Sequence, residues 1–345
     1  MRIAVVNDLV IAVEAMRRIV ESSADHKLAW VARDGVEAIE RCAADRPDLI
    51  LMDLIMPRLD GVEATRQIMA KTPCAIVVVT ANVNENSRRV FEAMGAGALD
   101  AVNTPVLERS KASEGAKALL AKVETIRKLI GAARPATAGP AGSRSMRAPF
   151  QAEGHVVVIG ASAGGPAALA RILSHLGRDF PASVVIVQHV DVKFADGLAH
   201  WLDYQSQLEV RLAREGDRPR PGIALLAGQE NHLAFSAGAR LTYTPSPMDC
   251  PYRPSVDVLF KSANRYWMGE VTGVLLTGMG RDGAEGLRLL KSHGHHTIAQ
   301  DRQSSAVYGM PGAAAELHAA TEILALDKIA GNLTNIVLRT AKMHA

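Results

Sequence analysis

The amino-acid sequence predicts an α/β protein of two domains, each built around a parallel or mostly parallel sheet. Its 345 residues are many for one hydrophobic core and suit two. Short apolar runs alternate with helical patterns in both halves of the chain. Between the halves, residues 131–149 are rich in Gly, Ala, Pro, Ser and Arg, which is typical of a linker. We therefore place a first domain at 1–130, a linker at 131–152 and a second domain at 153–345.

The first domain alternates strands and helices in the manner of a flavodoxin-like fold. Its apolar runs predict five parallel strands, at residues 3–6, 28–32, 49–52, 75–79 and 98–102. The segment 111–130 predicts an amphipathic helix that closes the domain. Its apolar residues recur at helical spacing and are Ala112, Ala116, Leu119, Leu120, Val123, Ile126 and Ile130.

The second domain repeats this alternation and is predicted to be a doubly wound α/β domain. Strand-like runs lie at 156–159, 183–187, 223–226 and 271–276. In open α/β sheets, functional groups collect beyond the carboxyl ends of the strands. The residues that follow each run are therefore the first candidates for a functional site.

Composition excludes several classes of protein. The net charge of +3 comes from interspersed acids and bases, so no concentrated basic surface for DNA or RNA is expected. Cys42, Cys74 and Cys250 are too few and too scattered for a disulfide framework or a zinc site, which indicates reduced thiols and a cytoplasmic location. No run reaches the ~18 apolar residues of a membrane span, and the start lacks a signal-peptide pattern, so we expect no direct membrane insertion.

Three polar residues follow predicted strands of the first domain. Asp8 follows the first strand, Asp53 the third and Thr80 the fourth. Two carboxylates at one sheet edge can hold a magnesium ion while one of them attacks phosphorus. The arrangement predicts a phosphorylatable aspartate at position 53; the alternative is an aspartate that only caps a loop.

Residues 1–130 resemble the receiver domain of bacterial response regulators. The specific part of the resemblance is the Asp53 segment, which continues into Met56-Pro57 and Asp60-Gly61. The resemblance implies phosphorylation of Asp53 and a switch role for Thr80. It also implies Mg²⁺ ligated by Asp8, Asp53 and Ile55, and a CheA-type histidine kinase as partner.

Three positions depart from the receiver pattern. Asn7 replaces one of two adjacent acids, Thr104 stands where a lysine precedes a proline, and Ala101 occupies a switch position that is commonly aromatic. Loss of a carboxylate should weaken the metal site, and loss of the lysine removes a cation that would pair with the phosphoryl group. We therefore expect phosphorylation with a shallow activating effect.

The run at 156–159 leads into a glycine-rich turn that contains Ser162. Gly160, Gly164 and Gly165 permit a tight turn, and Pro166 suits the start of a helix. Such a turn lifts the serine Oγ above the sheet edge beside helix N–H groups, which suits an acyl-transfer oxyanion. Two other interpretations stay open at this point: a structural strand-to-helix turn and a variant of the dinucleotide-binding fingerprint.

A serine nucleophile needs a base, and His189 has the best position for it. It follows the strand run at 183–187 and should emerge at the same edge as Ser162. Asp282, after the run at 271–276, would fix the imidazole tautomer and stabilise its charged form. The alternatives are a structural histidine and an aspartate that caps the next helix. The chain order Ser, His, Asp differs from that of α/β-hydrolases.

The remaining histidines offer poorer candidates for the base. His155 precedes its strand and should lie at the opposite edge of the sheet. His293, His295 and His296 follow a predicted helix, and we expect them at the surface.

Several motifs of the second domain resemble the catalytic domain of the chemotaxis protein-glutamate methylesterases (CheB). They are residues 160–165 (GASAGG), 187–189 (VQH), 253–260 (RPSVDVLF), 276–284 (LTGMGRDGA) and 308–311 (YGMP). The resemblance implies Ser162 as nucleophile, His189 as base and Asp282 as its orienting partner. It further implies γ-methyl-glutamyl substrates on methyl-accepting chemoreceptor-type proteins, with glutamine deamidation at the same sites.

For this activity we expect no cofactor at the esterase site. Backbone N–H groups of Ala163 and Met279 are the candidates for the oxyanion hole. The resemblance also implies that the receiver restrains the esterase until Asp53 is phosphorylated. Asn7 and residues 103–105 resemble the branch that serves Wsp-type chemosensory systems.

Three competing functions make different demands on the sequence. A Rossmann oxidoreductase expects an acid after the second strand of the domain, where the chain has Gln188 and His189. A transcription factor would need a basic recognition helix after the linker, where a strand and the serine turn are predicted. A catalytically weak regulator is disfavoured by the complete Ser162, His189 and Asp282 set.

Overall fold

The computed structural model describes residues 1–81, 86–105, 112–131, 154–250 and 252–343. The chain divides into two compact units, Met1–Ala133 and Arg134–Ala345. Gly131 ends a helix, and the rest of the predicted linker at 131–152 lies outside the described residues.

The first unit contains the predicted parallel sheet of five strands. These are β1 (Arg2–Val6), β2 (Lys27–Ala32), β3 (Leu49–Met52), β4 (Ala75–Thr80) and β5 (Asp100–Asn103), in the order β2-β1-β3-β4-β5. The predicted fifth run began earlier, at residue 98. Ala98 instead closes the preceding helix by donating its N–H to the carbonyl of Ala93. The flavodoxin-like fold is confirmed, with a switch in strand order between β1 and β3.

Within the described residues, four helices connect these strands and a fifth follows the last strand; side-chain caps begin the second and third helices. They are α1 (Val10–Glu21), α2 (Gly35–Ala44), α3 (Gly61–Lys71), α4 (Ser87–Gly95) and α5 (Ala112–Gly131). The carboxylate of Asp34 accepts the N–H groups of Val36 and Glu37 at the start of α2, and that of Asp60 accepts the Glu63 N–H at the start of α3. Leu119, Val123 and Ile126 of α5 are buried, as the helical spacing predicts; Lys111 lies outside the described residues.

The second unit is built on a seven-stranded parallel sheet and a separate hairpin. Its sheet runs in the order β14-β13-β12-β6-β7-β9-β8, and β10 pairs antiparallel with β11. The bounds are β6 (His155–Ala161), β7 (Ala182–Gln188), β8 (Glu209–Leu212), β9 (Ile223–Leu226), β10 (His232–Ser236), β11 (Arg240–Thr244), β12 (Glu270–Leu275), β13 (His296–Gln300) and β14 (Glu322–Leu324). The doubly wound architecture is confirmed.

In the described part of the second unit, six helices flank this sheet and its hairpin. They are α6 (Gly165–Leu173), α7 (Val192–Gln205), α8 (Val256–Tyr266), α9 (Ala284–Ser292), α10 (Met310–Glu316) and α11 (Leu326–Met343). In the parts of the chain that the structure describes, none of the helices has the length and apolar character needed to cross a membrane.

Three histidines that were poorer candidates for the base, His155, His295 and His296, lie at the amino-terminal edge of the second sheet. His155 begins β6 there, and with His295 and His296 it lines a cleft of about 350 Å³. His293 is exposed as expected, but His295 is buried and His296 donates to or accepts from Glu322 at 2.8 Å. The predicted surface position of His295 is therefore wrong, because it directly precedes β13, a strand with no clear apolar run, and is buried there. His296 begins β13 and is half-buried.

Close packing at Gly160 gives a test of the fold. A Cβ added to Gly160 would lie 2.1 Å from Cγ1 of Val256, the first residue of α8. We expect Gly160→Ala to lower the free energy of unfolding by roughly 1–3 kcal/mol through overpacking. The control is Gly331→Ala, where no atom lies within 4 Å of the added Cβ and helix propensity should add up to ~1 kcal/mol. Calorimetric melting of both variants measures this, and a similar shift in both would contradict it.

Candidate active site and phosphorylation site

Ser162 lies in the turn between β6 and α6, where its backbone is held on both sides. Its N–H donates to the Thr277 carbonyl at 3.0 Å, and its own carbonyl accepts the Gly165 N–H at 2.8 Å. Gly164 precedes α6 with φ +75°, a conformation that favours glycine. A Cβ there would also lie 2.6 Å from the Cβ of Ala306. The turn leaves the Ser162 side chain half-buried at the carboxyl edge of the sheet.

His189 follows β7 at the same edge and is anchored to the serine turn. Its N–H donates to the carbonyl of Ala161 at 2.9 Å, one residue before Ser162. Its Nε2 lies 2.8 Å from Oδ2 of Asp282. Because an ionised carboxylate can only accept, Nε2 carries the hydrogen, and Nδ1 of a neutral ring is then an acceptor. Within the described residues, this Nδ1 is buried and has no hydrogen-bond partner.

The carboxylate of Asp282 accepts hydrogen bonds from two directions. Oδ2 accepts from His189 Nε2 and from the Val256 N–H at 2.7 Å, while Oδ1 accepts from Ser255 Oγ at 2.7 Å and the Asp257 N–H at 3.1 Å. Burial opposes its ionisation, but the bonds from His189, Ser255 and Val256 outweigh burial and hold the pKa of this carboxyl below its usual range. Asp282 is therefore a buried anion beside the imidazole.

The alternative role of Asp282 as a helix cap takes an unexpected form. The residue before α9 is Gly283, with no side-chain cap. Asp282 instead accepts N–H groups at the start of α8, a helix distant in sequence. The positive end of that helix favours the charged carboxylate.

The two candidate oxyanion donors lie next to the serine. Ala163 follows Ser162, and its carbonyl accepts from Thr277 Oγ1 at 2.9 Å. Met279 follows Gly278, where an added Cβ would lie 2.7 Å from Ser162 Cβ. In the described ranges, neither the Ala163 N–H nor the Met279 N–H donates to a protein acceptor. Both groups are thus available to an oxygen bound at this edge.

Three residues of the site were not identified from the sequence as functional. The Gln188 side chain donates to the Ser162 carbonyl at 2.8 Å, and Ser255 binds Asp282. Tyr252 stacks on the His189 ring. Gln188 and Ser255 stand in motifs that carried the resemblance, but only the fold shows what their side chains contact. No signal in the sequence pointed to Tyr252.

The first unit places Asp53 at the end of β3, in a nearly closed environment. Its Oδ1 accepts the Leu54 N–H at 2.7 Å, and its Oδ2 accepts from Asn7 Nδ2 at 3.0 Å. Burial and the nearby charge of Asp8 raise the pKa of Asp53 to about 6. The hydrogen bonds from the Leu54 and Ile55 N–H groups act in the opposite direction but do not outweigh them. Gly61, the first residue of α3, lets this helix begin close to Asp53, because a Cβ at Gly61 would lie 1.9 Å from the Asp53 carbonyl oxygen.

The residues at this edge fit a magnesium ion. A desolvated Asp53 beside the exposed Asp8 is a pair of like charges that a divalent cation would relieve. Ile55 can contribute only its backbone carbonyl. The described residues contain no group of three or more His, Cys, Asp or Glu side chains suited to a metal, so this set is two carboxylates completed by carbonyl and water oxygens.

The other receiver positions surround β4 and β5. Thr80 Oγ1 accepts from Asn86 Nδ2 at 3.2 Å, and the Thr80 carbonyl accepts the Thr104 N–H at 2.9 Å. Ala101 is buried, and its carbonyl accepts from Lys122 at 2.8 Å.

Two families of known proteins match separate parts of the chain. Residues 157–333 match the family CheB methylesterase, and residues 3–126 match the response regulator receiver domain. The protein-glutamate methylesterase/protein-glutamine glutaminase 2 of Burkholderia orbicola is 56% identical, covering 96% of this chain and 98% of that protein. In Pseudomonas putida, the protein-glutamate methylesterase/protein-glutamine glutaminase of group 3 operon is 55% identical, covering 97% and 98% respectively.

A solved structure of a catalytic domain resembles the second unit. The crystal structure of the Thermotoga maritima CheB methylesterase catalytic domain is 35% identical and has a TM-score of 0.51. The match covers 53% of this chain and 99% of that domain.

The raised pKa of Asp53 predicts a pH-dependent stability cost. Because the native pKa of about 6 exceeds the unfolded value of about 3.9, the free energy of unfolding falls as pH rises from about 4 to about 6. At pH 8 without Mg²⁺, Asp53→Asn should therefore be more stable than wild type by roughly 1–3 kcal/mol, and the gap should close near pH 4. Denaturant unfolding across pH measures this, with the exposed Asp25→Asn as control. A stability difference between Asp53→Asn and wild type that does not change with pH would contradict the raised pKa of Asp53.

Proposed function

The chain belongs to the CheB methylesterase family and carries a receiver domain, and from this we propose that it is a phosphorylation-regulated protein-glutamate methylesterase. It hydrolyses glutamyl γ-methyl esters, and deamidates glutamines, on methyl-accepting chemoreceptor-type signalling proteins. One observation carries the proposal. The half-buried imidazole of His189, which is anchored to the Ser162 turn, has Nε2 bound to a buried carboxylate and, within the described residues, Nδ1 without a hydrogen-bond partner.

In the proposed reaction, Ser162 is the nucleophile and His189 the general base. Nδ1 of His189 takes the Oγ proton as Oγ attacks the ester carbonyl carbon. The carbonyl oxygen becomes an oxyanion held by the N–H groups of Ala163 and Met279. The imidazolium then gives its proton to the methoxy oxygen, and methanol leaves an acyl-enzyme.

Hydrolysis of the acyl-enzyme uses the same residues in reverse. His189 takes a proton from water as the water oxygen attacks the acyl carbon, and the imidazolium then returns the proton to Oγ as the C–Oγ bond breaks, which releases the glutamate and restores the serine. A glutamine substrate follows the same path with ammonia as the first leaving group. Asp282 stays ionised throughout and stabilises the imidazolium, a role supported by its lowered pKa.

The use of Nδ1 as the base distinguishes this geometry from the common serine-hydrolase arrangement. There the aspartate binds Nδ1 and Nε2 faces the serine. Here the ring is turned, because Asp282 binds Nε2. The chemistry is unchanged, since either imidazole nitrogen can transfer the proton.

For the receiver, we propose Asp53 as the phosphoryl acceptor and a CheA-type histidine kinase as the donor. Asp8, Asp53 and the Ile55 carbonyl would hold Mg²⁺, which neutralises phosphoryl oxygens when bound. Thr80 is the proposed switch residue, and Asn7, Ala101 and Thr104 make the response shallow. The proposed location is the cytoplasm, without nucleic acid as a partner. The Wsp-type branch stays a prediction.

The triad is tested by methanol release from a methylated receptor signalling domain. Ser162→Ala and His189→Ala should each lower the rate by several orders of magnitude, because nucleophile and base act as a unit. Ser305→Ala, a nearby half-buried hydroxyl outside the proposed triad, is the control. Wild-type rates from the folded Ser162→Ala variant would overturn the assignment; no turnover by wild type on any methylated receptor would favour a catalytically silent regulator.

Phosphorylation is tested with a small phosphodonor and Mg²⁺. Wild type should gain an acid-stable, base-labile acyl phosphate that Asp53→Asn lacks, and its esterase rate should rise. Asp60→Asn, which alters the cap of α3, controls for loss of charge near the site. Equal labelling of wild type and Asp53→Asn would disprove the acceptor; labelling without a change in rate would disprove the regulation.

A further inference from the structure

The imidazole of His189 is held by an aromatic ring as well as by a carboxylate. The ring of Tyr252 lies parallel to it, with an interplanar angle of 2° and centroids 4.7 Å apart. Asp282 lies at the ring edge and Tyr252 covers a face, so the two contacts restrain different motions.

A single hydrogen bond cannot orient an imidazole fully. The bond at Nε2 fixes one atom of His189, but the ring can still tilt about that bond, and Nδ1 has no partner within the described residues. A parallel ring against one face resists that tilt through close contact. The tyrosine ring therefore holds the imidazole in one plane, and this fixes the direction in which Nδ1 points.

Tyr252 is itself held by its surroundings. A Cβ at Gly280 would lie 2.2 Å from the tyrosine hydroxyl oxygen, and Gly280 has φ +80°. The tyrosine is half-buried, and burial, with the charge of Asp282 and then Cys250, raises the pKa of its hydroxyl, so the ring is neutral at ordinary pH.

The segment that carries Tyr252 also secures the carboxylate. Three residues later, Ser255 donates to Oδ1 of Asp282, and Val256 donates to Oδ2. One stretch of chain thus contacts both the imidazole and the carboxylate that orients it. A shift of this stretch would move the imidazole and the aspartate together.

We propose that Tyr252 is a positioning residue that sets the plane of the His189 ring, so that Nδ1 meets the Ser162 hydroxyl in a geometry suited to proton transfer. The proposal rests on the function proposed above. The aromatic face also favours the imidazolium that forms during acylation, since a cation over a tyrosine ring is attracted to it. The ring, not the hydroxyl, is the part of the side chain that acts.

Substitutions at Tyr252 in the full-length protein separate the ring from the hydroxyl. Tyr252→Leu should lower kcat for methanol release roughly 10- to 100-fold, the scale of a small displacement of a catalytic group, with KM unchanged. It should slow phosphonylation of Ser162 by a fluorophosphonate probe by a similar factor. Tyr252→Phe should restore both rates to within about twofold of wild type. Tyr204→Leu, an exposed tyrosine of α7 that is 79% accessible, is the control.

The outcomes distinguish this proposal from the function on which it rests. Wild-type rates in Tyr252→Leu, or an equal loss in Tyr252→Phe, would overturn positioning by the ring. A rise in KM at unchanged kcat would also overturn it, because that pattern indicates substrate binding. If Tyr252→Leu does not melt as wild type does, Tyr252→Met replaces it. An active Ser162→Ala would overturn both proposals, whereas an inactive Ser162→Ala with a fully active Tyr252→Leu overturns this one alone.

Discussion

The buried carboxylate of Asp282 is the group on which the architecture of the second unit and its proposed chemistry both depend. It accepts hydrogen bonds from His189, Ser255, Val256 and Asp257. These donors come from the end of β7 and the start of α8, so the carboxylate joins elements that are far apart in sequence. An unpaired charge at this depth would cost several kcal/mol, and the four donors offset that cost. The hydrogen bonds that anchor the start of α8 therefore also keep Asp282 ionised, which is the state needed beside an imidazolium.

Small residues let the rest of the site approach this carboxylate. Gly160 makes room for Val256, Gly278 for Ser162 and Gly280 for Tyr252, each at a distance that would exclude a Cβ. The pairing of β6 with β7 sets Ala161 opposite Gln188, and this register brings Ser162 and His189 out at one edge. The register of the parallel strands and the glycines, which lack a Cβ, therefore place the site residues, and hydrogen bonds then fix their orientation.

Sequence patterns predicted the strands that are mostly apolar and buried, and the polar residues that follow them. Residues 49–52, 156–159 and 183–187 are continuous buried runs, and Asp53, Ser162 and His189 stand at or just beyond their ends. Short or polar strands escaped this logic: β8 and β13 mix charged, polar and apolar residues and lack a clear period. Tyr252 and the donors at the start of α8 reach the site from a loop and a helix end, where no periodicity gives their direction.

The two side chains proposed to share the catalysis differ in what else they support. Within the described residues, Ser162 holds the turn through its backbone: its N–H donates to Thr277 and its carbonyl accepts from Gly165 and Gln188. Loss of its hydroxyl leaves those bonds in place, whereas loss of the Asp282 carboxylate strands the donors that begin α8. A related protein in which another residue replaces the serine can therefore lose catalysis and still keep this fold. The aspartate would be retained in such a protein because the fold needs it. The presence of the aspartate alone is therefore a poor marker of an active enzyme.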